Sequence, residues 1–112
     1  MLPLLADLPY EELWGILLNR SAKIITKVKI SQGSIAQTSA DILLIMRAAI
    51  ANLASGIIYC HNHPSGNIRP SEQDDLLTQK IKEADRLLDF NLLDHIVLTD
   101  GRYFSYTDEE RI

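Results

Sequence analysis

Hydrophobic and polar positions along the first quarter of the chain predict a β-hairpin. Residues 13–18 form a short apolar run, as in a strand that is buried on both faces. Residues 23–30 alternate between apolar and charged side chains, which is typical of a strand with one buried face. Because the polar residues 19–21 separate the two segments, the strands are expected to pair. The alternation places Ile24, Val28 and Ile30 on the buried face and Lys23, Lys27 and Lys29 on the solvent face.

Two later segments carry apolar residues at the helical period. The first is expected to begin at an N-cap, either Thr38 or Ser39, and to end near Gly56. The second is expected to run from Ser71 to about Asp89. Their apolar stripes are Ile42, Ile45, Met46, Ala49, Ile50 and Leu53 in the first helix and Leu77, Ile81, Ala84 and Leu88 in the second.

Three further strands are predicted around and after the second helix. Residues 57–60 are apolar and rich in strand formers, and the loop 61–70 follows them. Residues 92–99 and 102–106 are joined by Asp100-Gly101, a strong two-residue hairpin signal. The order β-β-α-β-α-β-β predicts an α/β fold with a mixed sheet flanked by helices. Strand-helix-strand steps favour parallel pairing, whereas hairpins add antiparallel strands.

Composition indicates one globular domain over residues 1–112. The chain is 46% hydrophobic and 23% charged, and its net charge of −4 disfavours nucleic acid as a partner. The single cysteine, Cys60, excludes an intrachain disulfide. No apolar run approaches the ~20 residues that cross a bilayer. We therefore expect a cytoplasmic protein without a membrane segment.

The strongest chemical signal comes from His61 and His63. In extended backbone, residues two apart point to the same side, so both imidazoles can face one point beyond a buried strand. Asp74 can add a carboxylate, because Pro64 and Gly66 allow the intervening loop to turn back. Two imidazoles and one carboxylate are typical of a catalytic zinc site whose fourth position is open to water. The same donors also serve non-haem iron.

A metal-activated water needs a base that takes its proton. Glu11 and Glu12 stand at the N-terminal edge of the first predicted strand. Alternation sends adjacent residues to opposite faces, so one of the two can face the metal. The spacing alone leaves the choice between them open.

These residues together resemble a known motif. His61-x-His63-Pro64, followed by Ser71-x-x-Asp74 and preceded by a distant Glu, resembles the JAMM motif of the MPN metalloprotease fold. The string His-Asn-His-Pro-Ser-Gly over residues 61–66 resembles the RadC branch of that family, as do residues 93–95 and 103–105. The resemblance extends from about Glu11 to Ser105.

The resemblance implies a zinc ion (Zn2+) held by His61, His63 and Asp74, with Glu11 as general base and the Ser71 hydroxyl near the reacting carbonyl. It implies hydrolysis of peptide or isopeptide bonds in a peptide or protein substrate, such as a ubiquitin-like protein. It also implies a cytidine-deaminase-like (MPN/JAB) sandwich. RadC proteins are described as DNA repair proteins, often with a helix-hairpin-helix segment before this domain. Only about ten residues precede Glu11 here, so we expect no such segment in this sequence.

Two other functions fit the same residues. The first is a nucleic-acid-associated RadC-like DNA repair module, and the second is a metal-stabilised interaction domain without catalysis. At the level of single residues, Ser71 and Asp74 also match a helix capping box.

Several neighbouring residues are expected to be structural. Cys60 should face away from His61 as a small core residue, because adjacent strand residues alternate. Asp94 and His95 lie on a later strand and are expected to be a satisfied structural pair rather than part of the metal site. The residues expected to be core or edge aromatics are Trp14, Tyr59, Tyr103, Phe104 and Tyr106.

Overall fold

The computed structural model describes residue 5 and residues 8–33 and 39–112, which form a five-stranded sheet and two long helices. The order of elements is β-β-α-β-α-β-β, so the predicted order and the α/β class are confirmed. None of the helices in the described ranges is long and apolar enough to span a bilayer. The elements are β1 (Glu11–Leu18), β2 (Ile24–Gly33), α1 (Ser39–Ala51), β3 (Gly56–Asn62), α2 (Glu72–Leu87), β4 (Asn91–Thr99) and β5 (Arg102–Ser105).

The sheet has the strand order β2-β1-β3-β4-β5, which makes β3 the central strand. β1 pairs antiparallel with β2 and with β3, β4 pairs antiparallel with β5, and β3 and β4 are parallel. The end of β3 therefore lies beside the start of β1, where Leu13 is opposite His61. Because α2 connects β3 to β4, its first turn begins close to the same edge of the sheet. The topology thus gathers polar residues from three elements.

Both helices pack on one face of the sheet. Gly15 marks where α1 crosses β1, since a Cβ at this position would come within 2.5 Å of Cδ1 of Ile45. A larger residue at position 15 would therefore require the Ile45 side chain to move. The core on this face contains Leu13, Leu17, Ile30, Ile45, Met46, Ala49, Ile57, Tyr59, Leu77 and Ile81.

The opposite face carries a smaller apolar cluster. Leu5, Cys60 and Leu98 are buried there, and Trp14 is among the half-buried residues that pack against them. Cys60 is 1% exposed and lies opposite Trp14 across the β1–β3 pair. The prediction that Cys60 faces away from His61 is therefore confirmed.

Several apolar positions that the sequence predicts to be buried are exposed. Ile24 is 67% exposed: β2 is an edge strand, and the core cluster includes only its later residues Val28 and Ile30. Leu53 is 87% exposed and has a positive φ of 52°, since α1 ends at Ala51 rather than near Gly56. The stripe predictions are also wrong for Ile50 and Leu88, which are 55% and 46% exposed.

Some element ends also differ from the prediction. β3 continues through His61 to Asn62, two residues beyond the predicted end, because it keeps pairing with β4 as far as Leu98. In α2 the buried face includes Asp85, a polar residue that an apolar stripe does not reveal. The predicted cap at Thr38 lies outside the described residues, as does the side chain of Ser39, the alternative cap.

Candidate metal centre

Three potential ligands meet where β3 ends and α2 begins. Nε2 of His61 lies 3.0 Å from Nε2 of His63 and 3.2 Å from Oδ1 of Asp74. Nε2 of His63 lies 3.1 Å from Oδ2 of Asp74. Two ligand atoms at 2.0–2.1 Å from a zinc ion are about 3.3 Å apart at the tetrahedral angle. The structure thus brings together, at ion-binding distances, the three residues singled out in the sequence.

The local structure explains how each ligand is aimed. His61 is held within β3, and the N–H of His63 continues the pairing with β4 by donating to the carbonyl of Leu98 at 2.8 Å. Asp74 forms a capping box with Ser71: the Ser71 N–H donates to Oδ2 of Asp74 at 2.7 Å, and the Asp74 N–H donates to Oγ of Ser71 at 3.1 Å. The helix cap therefore turns the carboxylate back towards β3.

A chain of hydrogen bonds assigns the tautomer of His61. The hydroxyl of Thr78 donates its one hydrogen to the carbonyl of Asp74 at 2.8 Å. Nδ1 of His95, 2.6 Å from Oγ1 of Thr78, must then be the donor in that contact. Burial and the nearby His61 lower the pKa of His95 well below its usual value, so the ring is neutral and its Nε2 accepts. Nδ1 of His61 donates to that Nε2 at 2.7 Å, so Nε2 of His61 is the ring atom that faces the other candidate ligands.

His63 is oriented in the same way by a backbone group. Its Nδ1 donates to the carbonyl of Asn67 at 2.6 Å, so Nε2 is the atom that faces the other ligands. Burial lowers the pKa of His63, but the carboxylate of Asp74, the Asn67 carbonyl and the charge of Glu11 outweigh burial and raise it. The surroundings of His63 thus favour a positive charge at this point.

Asp74 supplies the negative charge of the site. Burial raises the pKa of its carboxyl, but contacts with His61, His63 and the Ser71 N–H outweigh burial and hold that pKa well below its usual range. Oδ2 accepts from Ser71, whereas Oδ1 is a buried oxygen without a hydrogen-bond donor. A buried carboxylate oxygen that lacks a donor is costly unless a cation satisfies it. The donor set therefore fits a divalent ion.

The choice between Glu11 and Glu12 follows from the register. Leu13 is opposite His61, and side chains directly opposite in a strand pair share a face, so Glu11 lies on the same face as His61. Glu12 lies on the other face, where its Oε1 accepts from Nε1 of Trp14 at 2.9 Å and its Oε2 lies 3.4 Å from Nζ of Lys29. Of the two carboxylates, Glu11 is the one placed near the candidate ligands.

His95 is not one of the three candidate ligands, as expected, but it lies directly beside them. Asp94 is structural, since its carboxylate accepts from the N–H of His95 and of Thr107 and from the hydroxyl of Ser105. The ring of His95, however, contacts His61 directly. Sequence reasoning also missed Thr78 and Asn67. Two signals could have indicated these supporting residues: His95 is a histidine in a predicted strand, and Thr78 follows Asp74 by four residues and so shares its face of the helix.

Thr78→Val is expected to weaken zinc binding about 10- to 100-fold, the usual effect of losing a partner that orients a ligand. Valine has the same shape but cannot accept from Nδ1 of His95, so His95 and then His61 can adopt the other tautomer. Competition titration with a chromophoric chelator measures the affinity. Thr99→Val is the matched control, because Thr99 is also buried and no described contact joins it to His95. Equal affinities for Thr78→Val and the unmodified chain would contradict the assigned relay.

Comparison with known proteins agrees with the geometry. The family model described as "RadC-like JAB domain" matches residues 1–111. A UPF0758 protein of Porphyromonas gingivalis is 55% identical over 108 residues, which are 96% of this chain and 48% of the relative. A UPF0758 protein of Flavobacterium johnsoniae is 45% identical over 109 residues, 97% of this chain and 48% of the relative. The chain therefore spans about half the length of the curated relatives it matches.

Proposed function

Since this chain belongs to the RadC-like JAB domain family, we propose that His61, His63 and Asp74 hold a zinc ion and that the protein hydrolyses peptide or isopeptide bonds. The substrate class is a peptide or a protein, such as a ubiquitin-like protein. One observation carries the proposal: two imidazole nitrogens 3.0 Å apart lie beside a buried carboxylate oxygen that has no hydrogen-bond donor. A single divalent cation satisfies all three groups.

The number of ligands favours catalysis over a structural role. Within the described residues the group contains three candidate ligands, one fewer than a closed structural zinc site uses. Cys60, which directly precedes His61, faces the other side of the sheet and does not add a fourth ligand. When bound, a zinc ion lowers the pKa of a coordinated water to near neutrality and polarises a carbonyl oxygen.

The chain supplies a proton carrier and a hydrogen-bond donor. Glu11, half-buried on the face of His61, accepts the proton of the attacking water and then delivers it to the departing nitrogen. Oγ of Ser71 accepts from the Asp74 N–H, so its own O–H remains available to the carbonyl oxygen of a substrate. Ser71 is exposed, which leaves this hydroxyl accessible.

The test combines elemental analysis with an amide-cleavage screen. We expect protein purified without added metal to contain about one zinc ion per chain. It should also cleave peptide or isopeptide substrates, with activity lost in a chelator and restored by zinc. His63→Ala is expected to lose both zinc and activity. Bound iron would contradict the assignment of the metal, and bound zinc without cleavage of any amide would favour the interaction-domain alternative.

Zinc is also expected to stabilise the fold through Asp74. At a free zinc concentration 1,000 times the dissociation constant, binding adds about 4 kcal/mol to the free energy of unfolding. Asp74→Asn should remove most of this gain, because it removes the only charged ligand of the group. Urea unfolding with and without zinc measures the difference. Asp75→Asn is the control: Asp75 is the next residue but bonds Tyr106 and Arg111, so its zinc response should be unchanged.

A further inference from the structure

Asn62 is fully buried at the end of the central strand. Its Oδ1 accepts a hydrogen bond from the N–H of Glu12 at 2.7 Å, and its Nδ2 donates to the carbonyl of Tyr10 at 2.8 Å. These two backbone groups belong to the residues on either side of Glu11. One side-chain amide thus holds the chain immediately before and immediately after the proposed base.

The pairing of β1 and β3 explains why an amide is needed here. Their backbone register ends at Leu13 and His61, and the next pair in that register is Glu12 with Asn62. Beyond this point the chain turns towards β4, where the His63 N–H bonds the carbonyl of Leu98. The Asn62 side chain, which has the donor and acceptor of a peptide group, extends the ladder by one step.

Among the described residues, β2 and β3 are the strands that hold the start of β1. On its other side Glu11 is opposite Gly33, the last residue of β2. Before it, Tyr10 is 39% exposed and lies outside the strand. Without the two hydrogen bonds of Asn62, we expect the first residues of β1 to separate from β3, as strand ends commonly do.

Asn62 does not reach the reacting groups itself. It follows His61 directly in β3, so its side chain lies on the opposite face from the candidate ligands. Its influence on Glu11 passes through the backbone of Tyr10 and Glu12. We infer that Asn62 is a positioning residue that fixes the direction of the Glu11 carboxylate towards the metal centre. This inference rests on the proposed role of Glu11 as general base.

The kinetic test uses the zinc-loaded chain and a double-mutant cycle. Asn62→Ala should lower kcat about 100-fold, the cost of a misplacement of about 1 Å, with zinc content unchanged. In a Glu11→Gln background, Asn62→Ala should cause no further loss, because the group it positions is already gone. Asn19→Ala is the control, since the Asn19 side chain also bonds two backbone groups, the N–H groups of Ser21 and Lys23, but lies in the β1–β2 turn. An equal further loss in the Glu11→Gln background, or loss of zinc, would overturn the inference.

A second measurement does not depend on hydrolysis. In the cobalt-substituted protein, Glu11→Gln should change the visible absorption spectrum when Asn62 is present and should change it little in Asn62→Ala. Hydrogen exchange at the Glu12 amide should be faster in Asn62→Ala, and it should stay slow in Asn62→Asp, which keeps the acceptor. An unchanged Glu12 exchange rate or an unchanged spectral response would overturn the inference. If the native chain binds zinc but cleaves no amide, the proposed function fails while this measurement still decides the role of Asn62.

Discussion

Glu11→Gln is expected to lower the kcat of amide hydrolysis about 100- to 10,000-fold while zinc content stays near one ion per chain. Glutamine is nearly the same size as glutamate but cannot take a proton from the attacking water. The metal should remain, because Glu11 is not among the residues that converge as ligands. Asp74→Ala and His63→Ala should instead lose zinc and activity together. Steady-state kinetics combined with elemental analysis separates these two behaviours.

The neighbouring residue gives a sharp control. Glu12→Gln makes the same chemical change one residue away, on the face of the sheet that carries Trp14. Its kcat should stay within a fewfold of the native value, since its carboxylate does not face the candidate ligands. A larger loss of kcat in Glu12→Gln than in Glu11→Gln would show that Glu11 is not the general base. Equal activity in Glu11→Gln and the native chain would remove the general base from the mechanism.

The second large effect concerns Asp85 and the dependence of stability on pH. Asp85 is fully buried in α2, and Oδ1 accepts from the hydroxyl of Tyr59 at 3.0 Å. Burial raises the pKa of Asp85 to about 7, and the hydrogen bond from Tyr59 lowers it only in part. The folded chain therefore holds a proton between about pH 4 and 7 that the unfolded chain has released. The contribution of Asp85 to the free energy of unfolding is greatest below about pH 4. It falls by roughly 4 kcal/mol as the pH rises from about 4 through 7.

Asp85→Asn should remove this slope, because asparagine does not ionise. The variant should gain stability relative to the native chain as the pH rises from 4 to 8. Urea unfolding in a chelator measures the difference without a contribution from zinc. Tyr59→Phe is the companion variant: it removes the hydrogen bond that lowers the pKa, so the fall should still begin near pH 4 but extend to higher pH. A constant difference between Asp85→Asn and the native chain across this range would contradict the assigned pKa.

The order of elements could be read from the sequence because hydrophobic periodicity reports burial directly. Hydrophobic periodicity failed to predict the burial of residues whose burial depends on partners distant in the chain. Ile24 matches the alternation of its strand, but it lies at the sheet edge beyond the reach of α1. Leu53 fits the helical period but follows the end of α1. Asp85 breaks the stripe of α2 and is nevertheless buried, because Tyr59 from β3 supplies a partner.

The candidate ligands could be predicted because their spacing is local. His61 and His63 are two residues apart in extended chain, and Asp74 begins the next helix. The supporting residues could not be predicted in this way. His95 reaches His61 from the neighbouring strand, and Asn62 reaches the start of β1 across 50 residues. The family resemblance indicated Glu11 rather than Glu12, but the spacing of the residues alone left the choice open, because the register of β1 against β3 is not contained in any single segment.

The alternation of β3 places strict limits on changes in its length. His61 and Asn62 are adjacent and serve opposite faces, one towards the candidate metal and the other towards the backbone of β1. Deleting or inserting one residue between Gly56 and Cys60 would exchange these faces. The Asn62 amide would then face His63 and Asp74, and the His61 imidazole would face the backbone of Tyr10 and Glu12. A change of one residue in the length of β3 should therefore abolish both arrangements at once.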